Sequence, residues 1–248
     1  MPDSWDSVQL APLYDVHIGH PQHDAATFDR HLRWIRETPN VLSWMGGDLI
    51  DNNSKDSVGT GVFEQEGRPQ VQWVRATRRL APIAHKLLFQ IPGNHEDRTE
   101  FAGFSIVSLM SAMLEVPYFS DYCFCTLKWR GNNFRILAHH GTGAAQSAGG
   151  QRMAARKDIA WAAAFDLIWT GHLHAPLADP IYRIDFDQKT GRPYERTGLI
   201  FISPSYLKFF GSYAAKKRYT PGHRGLSAVI LREDGRIDTE LHANGRRL

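Results

Sequence analysis

The chain has 248 residues, a net charge of +3 and an apolar fraction of 42%, enough for one well-buried core and without the charge excess of a disordered chain. No apolar run approaches the roughly 18 residues of a membrane helix, and the polar start at Met1–Asp6 lacks the basic and apolar regions of a secretory signal. A single domain over residues 1–248, cytoplasmic and clear of the membrane, is therefore expected.

In chain order, Val8–Val16 reads as a strand and Asp24–Glu37 as a helix, with Phe28, Leu32 and Ile35 at helical spacing. Val41–Met45 is a second strand, halted by Gly46-Gly47. Residues 52–68 form a long polar insertion. Pro69 then opens a helix to about Ala84. His85–Ile91 is a third strand, and a helix spans about Phe104–Leu114. The strands Tyr122–Trp129 and Phe134–Ala138 flank the turn Gly131-Asn132-Asn133. Met153–Ala164 reads as helical and Leu167–Thr170 as a short strand. Residues 177–203 and 226–242 are strand-rich. Cys123 and Cys125 stand two apart on one expected strand, poor geometry for a disulfide, and read as buried thiols. The pattern points to an α/β fold: a four-layer α-β-β-α sandwich of two packed mixed sheets with helices outside.

Metal-capable side chains fall at the strand ends. Asp15-Val16-His17, Gly47-Asp48-Leu49-Ile50-Asp51, Gly93-Asn94-His95-Glu96, His139-His140-Gly141 and Gly171-His172-Leu173-His174 each follow a strand. In a layered α/β fold such ends share one rim, so these groups can converge. The two-residue spacing within Asp15/His17 and His172/His174 keeps each pair on one side of an extended backbone. Carboxylates, imidazoles and one amide without thiolate suit Mn²⁺, Fe, Zn²⁺ or Ni²⁺ in an open site. So many donors fit two ions sharing a carboxylate, roughly 3.5–4 Å apart, between which water loses a proton at neutral pH and attacks in line.

The five blocks, in this order over residues 15–174, resemble the calcineurin-like metallophosphoesterases, whose pattern is Asp-x-His, Gly-Asp-x-x-Asp, Gly-Asn-His-Asp/Glu, a His usually followed by Gly, and Gly-His-x-His. The resemblance implies that Asp15, His17 and His174 hold one ion and that Asn94, His140 and His172 hold the other, with Asp48 bridging. It implies that His95 protonates the leaving oxygen or stabilises charge on the phosphoryl group, and that Asp51 orients and charges His95. Two divalent transition-metal ions follow as cofactors, Mn²⁺ ahead of Fe, Zn²⁺ or Ni²⁺. His140 precedes glycine and is preferred over His139 as the ligand. A carboxylate beside His95 would raise its pKa toward neutrality.

The expected activity is hydrolysis of a phosphate ester. A nucleotide or nucleic-acid phosphodiester ranks ahead of a phosphomonoester of a protein or small molecule. Tyr206, Phe209, Phe210, Tyr213 and Tyr219, interleaved with Lys208, Lys216, Lys217, Arg218 and Arg224, would suit a nucleic-acid surface, or equally a buried strand with a basic exposed face. Arg98 is open to a phosphate contact or a surface ion pair, while His20 and His223 read as surface residues. The loop Gly141–Ala145 could approach substrate or be only a connection. A non-catalytic scaffold would be expected to have lost donors or the acid, and a mononuclear oxygenase would leave donors over.

Overall fold

The computed structural model describes residues 1–54, 57, 63–99, 105–145, 147–157, 161–162, 164–216, 218, 221–243 and 246–247. Part of the insertion at 52–68, the expected helix start at Phe104, part of the expected helix Met153–Ala164, and Lys217 and Tyr219 lie outside these residues.

The first sheet holds β1 (Val8–Leu10), β2 (Val41–Met45), β3 (Leu87–Gln90), β9 (Gly225–Leu231), β10 (Ile237–Ala243) and β11 (Arg246–Arg247), in the order β11-β10-β9-β1-β2-β3. Its half from β1 to β3 is parallel, and β9 joins β1 antiparallel. The second sheet holds β4 (Tyr122–Trp129), β5 (Asn132–His139), β6 (Leu167–Thr170), β7 (Leu177–Phe186) and β8 (Pro193–Ile202), in the order β4-β5-β6-β8-β7. There β5, β6 and β8 are parallel, with antiparallel partners at both edges.

Three apolar clusters make the layers. Between the sheets, Leu10, Trp44 and Phe89 meet Ile136, Trp169 and Phe201, all buried. Trp44 lies flat on Phe89 and edge-on to Trp169, with ring centres 5.3 and 5.2 Å away. Helices α1 (Ala25–Glu37), α2 (Pro69–Leu80) and α3 (Ile106–Leu114) cover the outer face of the first sheet, where Phe28, Ile35, Leu80 and Met110 bury against Leu13 and Met45. Helix α4 (Ala148–Arg156) covers the second sheet through Ala155, which packs with Leu137, Ile168 and Ile200. The expected four-layer α/β sandwich is what the chain forms.

Local chemistry sets the boundaries. Asp24 caps α1 by accepting the Thr27 N–H at 3.2 Å. After Leu80 the chain tightens into a 3₁₀ segment, Ala81–Lys86, with Pro82 in its first turn, so α2 ends before the expected Ala84. Helix α4 begins five residues ahead of the expected Met153, because the Ser147 hydroxyl accepts the Gly150 N–H, and it ends at Arg156. Cys123 and Cys125 are free thiols, and burial pushes the Cys123 thiol up to about 12. Among the described residues no helix is long and apolar enough to cross a membrane.

Candidate metal centre

The segment after β1 keeps bonding to the β2 side: the N–H groups of Asp15, His17 and Ile18 donate to the carbonyls of Gly47, Asp48 and Leu49. The backbone there is not extended as expected. Asp15, His17, Asp48, His172 and His174 all adopt left-handed φ, between 50° and 66°. Such a conformation costs a non-glycine residue about 1–2 kcal/mol, and five of the nine described cases stand at this rim. The side chains of these five residues converge at the rim.

Asp48 is the centre of the cluster. Its Oδ1 accepts the His95 N–H at 2.9 Å, and its Oδ2 lies 3.2 Å from His140 Nε2, 3.7 Å from His95 Nε2 and 3.9 Å from His17 Nε2. On one side, Asp15 Oδ1 is 3.2 Å from His174 Nε2, which meets His17 Nε2 at 3.3 Å. On the other, Asn94 Oδ1 lies 3.2 Å from His140 Nε2 and 2.9 Å from His172 Nδ1. Among the described residues three sets of donor atoms lie close enough to share an ion: Asp15, His17 and His174; Asp48, His140 and His172; and His17, Asp48 and His95. Glycine is required where the backbone passes closest, since a Cβ on Gly93 would collide with Asp48 and one on Gly171 with Asp15.

Carbonyl oxygens set the tautomers, because they only accept. His140 Nδ1–H donates to Gly46 O at 3.0 Å, His172 Nε2–H to Gly143 O at 2.8 Å, and His95 Nδ1–H to Asp51 O at 2.5 Å. The opposite nitrogens therefore face inward, those of His140 and His172 toward Asn94 Oδ1, and each becomes a lone-pair donor when its ring is neutral. Such an arrangement suits a cation between them. The buried His17 Nδ1 and Asp51 Oδ1 have no hydrogen-bond partner and face each other at 3.9 Å.

The charge states follow from burial and from the pairing of carboxylates with imidazoles. Burial, then His95, hold His17 well below its usual pKa. Burial opposes a charge on His140 and on Asp48, yet each ionises through the other: His140 rises to about 10, and Asp48 falls well below the carboxylate range. Asp15 overrides burial to raise His174. His95 is lowered, chiefly by burial, where a carboxylate-raised value was expected. The Asp51 carboxyl is itself pushed up to about 7, mainly by burial, and stays 3.8 Å from His95 Nδ1. His95 is thus oriented by the main-chain oxygen of Asp51.

Other expectations are corrected here. Arg98 is half-buried, and its Nη1 is held by neighbours of the cluster rather than by a surface ion pair. It donates to Asn53 Oδ1 at 2.7 Å and Asp51 O at 3.2 Å, 3.1 Å behind His95 Nδ1. His20 is buried, accepts the Gln22 N–H on Nδ1, and lines the cavity beside the cluster together with His223. His139 lies on the other side of β5 against the Tyr122 ring, centres 5.3 Å apart, away from the cluster. Tyr206 is fully buried, with its hydroxyl 2.9 Å from His31 Nδ1, and Arg224 pairs with Asp24 at 3.1 Å. Neither serves an exposed stacking platform.

Sequence reasoning gave Glu96 no role. Its buried carboxyl accepts the N–H groups of Asp48 and Gly93 on Oε2, both at 2.8 Å, and of Ile50 on Oε1 at 3.0 Å. It ties the second and third strand-end loops together. Its place beside His95 was the available signal, but two of its three partners, Asp48 and Ile50, come from a distant loop.

No family model matches the chain, and no curated protein does. Solved structures similar to it include a predicted phosphoesterase from Streptococcus pneumoniae, at 11% identity and TM-score 0.44, covering 99% of this chain and 94% of that one. Vps29 from Entamoeba histolytica, solved with zinc, shows 14% identity and TM-score 0.41, covering 94% and 97%. A protein of unknown function from Aquifex aeolicus shows 16% identity and TM-score 0.36, covering 67% and 80%. At such distances, what the chain can do is read from its own residues.

Proposed function

We propose that the protein is a phosphoesterase that works with two divalent metal ions. The observation that carries this reading is Asp48 Oδ2, which stands within 3.9 Å of imidazole nitrogens from both donor sets. Asp15, His17 and His174 would hold one ion, Asn94, His140 and His172 the other, and Asp48 both. When bound, the ions would supply Lewis acidity at the phosphoryl group and lower the pKa of the attacking water. Oxygen and imidazole donors without thiolate suit Mn²⁺, Fe, Zn²⁺ or Ni²⁺.

The chain's own residues do the rest. The carbonyls of Gly46 and Gly143 fix the rings of His140 and His172, and Glu96 fixes the Asp48 turn. His95, anchored through Nδ1–H on Asp51 O, is left with Nε2 toward the centre; as the imidazolium, with Nε2 protonated from solvent, it would give that proton to the leaving oxygen and return to the neutral ring. Arg98 and Asn53 hold this anchor from behind. The substrate is a small phosphodiester or phosphomonoester, nucleotides included. Tyr206 and Arg224 are committed elsewhere and would not serve a polynucleotide, whereas Lys208 and Phe210 stay exposed. Titration with Mn²⁺ or Zn²⁺ should saturate near two ions per chain, and the loaded protein should hydrolyse bis(4-nitrophenyl) phosphate or 4-nitrophenyl phosphate. Saturation at one ion, or a loaded protein inert toward both esters, would refute the reading.

A further inference from the structure

A cavity of about 570 Å³ opens beside the metal centre, with His172, His174 and His20 on its floor. Its volume falls within the range of small-molecule sites, roughly 300–1,000 Å³. We propose that this cavity holds the organic half of the substrate and selects esters of uncharged, largely apolar alcohols over cationic ones. This inference rests on the phosphoesterase reading and specifies its substrate class.

The walls carry the argument. Ala144, Ala145, Ala175, Pro176, Leu207 and Phe209 line it, with the uncharged polar side chains of Ser147, Gln151, Ser205 and Ser212 among them. A group seated there trades water for methyl, methylene and ring contacts, the trade that favours apolar ligands. No carboxylate is found among the described residues that line it. The charged side chains it does present are cationic, Lys208 and Arg224, and Arg224 is tied to Asp24. An ammonium group entering this space would leave water without a compensating anion and would meet like charge. One phenylalanine face next to Lys208 does not make the aromatic cage that quaternary ammonium binding uses.

The cavity is also placed to receive that group. His172 lies both in the donor set with Asp48 and on the cavity floor. Its ring is held by Gly143 O, from the loop that continues into the Ala144–Ala145 wall. A phosphoryl group at the centre would therefore point one ester substituent along this wall. Here the small-residue loop Gly141–Ala145 finds its use: short side chains leave the space open.

The test uses benzyl phosphate and choline phosphate, each as the monoester and as its methyl diester, with the Mn²⁺-loaded protein. Choline is chemically the better leaving group, because its cationic nitrogen acidifies the alcohol, so a preference for benzyl must come from the site. The benzyl ester should show a kcat/KM higher by roughly 10- to 100-fold, the usual span for apolar pocket discrimination. Ala148 is exposed at the first turn of α4 and lines the same cavity. A carboxylate there suits the helix terminus, so Ala148→Asp should fold, and it should shrink the ratio about tenfold by helping choline. Phe209→Ala should lower kcat/KM for benzyl more than for choline and so shrink the ratio, with metal content intact in both variants. Equal turnover of the two alcohols, or variants that move both alike, would overturn the assignment of the cavity and leave the phosphoesterase reading standing. A metal-loaded protein that hydrolyses none of the four esters, nor the nitrophenyl esters, would overturn both.

Discussion

Removal of the Glu96 carboxylate should loosen the metal centre without touching a metal ligand. Three N–H groups, from Asp48, Ile50 and Gly93, end on it, and all are buried. Each buried donor left without a partner costs about 1–3 kcal/mol. In Glu96→Ala, water can enter the vacated space and recover part of this, so about 3 kcal/mol of stability should be lost. Glu96→Gln keeps one oxygen, which can serve the two donors now sharing Oε2. Its amide nitrogen then faces the Ile50 N–H, and about 1–2 kcal/mol should go. Groups that orient metal ligands typically change metal affinity by about 10–100-fold when altered, so the alanine variant should bind Mn²⁺ at the weak end of that range and the glutamine variant less severely affected. Urea denaturation of the metal-free variants, followed by circular dichroism, gives the stabilities, and calorimetric titration gives the affinities. Glu64→Gln, on the exposed surface, is the control. A Glu96→Ala protein that unfolds at the wild-type urea concentration and binds metal as tightly would show that the carboxylate does not hold the Asp48 turn.

Asp48→Asn should lower metal content and turnover together, because one side chain faces both donor sets; loss of one alone, measured by metal analysis beside an ester assay, would contradict the shared role. His95→Ala should keep most of the metal while turnover falls by about 10²–10⁴-fold, least for nitrophenolate, which departs readily as an anion, whereas metal loss equal to that of His140→Ala would make His95 a ligand in the set with His17 and Asp48. His139→Ala should leave the metal content unchanged. In the metal-free protein His140 is raised to about 10 from an ordinary 6.5 by Asp48, against burial; a raised histidine stabilises fully below its unfolded pKa and loses that contribution as pH climbs through the folded one. The urea midpoint of the metal-free wild type should accordingly be lower at about pH 9 than at about pH 7, and His140→Gln should flatten the difference.

Much of the fold was legible because its strands are short apolar runs stopped by glycine or polar residues. Val41–Met45, Tyr122–Trp129 and Leu167–Thr170 begin and end where the sequence pattern places them. The first strand is shorter than its apolar run suggests: apolar residues continue through Val16, but β1 ends at Leu10, just ahead of Pro12, which has no N–H for the ladder, and the left-handed residues Asp15 and His17 follow. Helix α4 was misplaced because Ala148-Gly149-Gly150 has poor helix propensity. The Ser147 cap and the packing of Ala155 against the second sheet override it. Tyr206 shows the limit of composition: an aromatic in a basic stretch reads as a stacking platform until the His31 partner, from a distant helix, is placed against it.

The donors of the centre were legible as types at strand ends, but what fixes them was not, because every fixing partner lies across a gap in sequence. Asp15, on the first sheet's side, accepts the His172 N–H from the second sheet's β6 loop through both oxygens, at 3.1 and 2.9 Å. His140, after β5, donates to Gly46 after β2. These bonds stitch the rims of the two sheets together at the point where five left-handed residues sit. At about 1–2 kcal/mol each, that backbone cost would break a loop held only by itself. It persists here because Trp44, Phe89, Trp169 and Phe201 lock the sheets against each other directly beneath. The rigid apolar layer therefore makes the strained donor turns possible, and the turns bring nitrogens and oxygens from five loops together. A ligand set prepared in this way loses little conformational freedom on binding, which favours tight metal retention and a fixed position for the phosphoryl group.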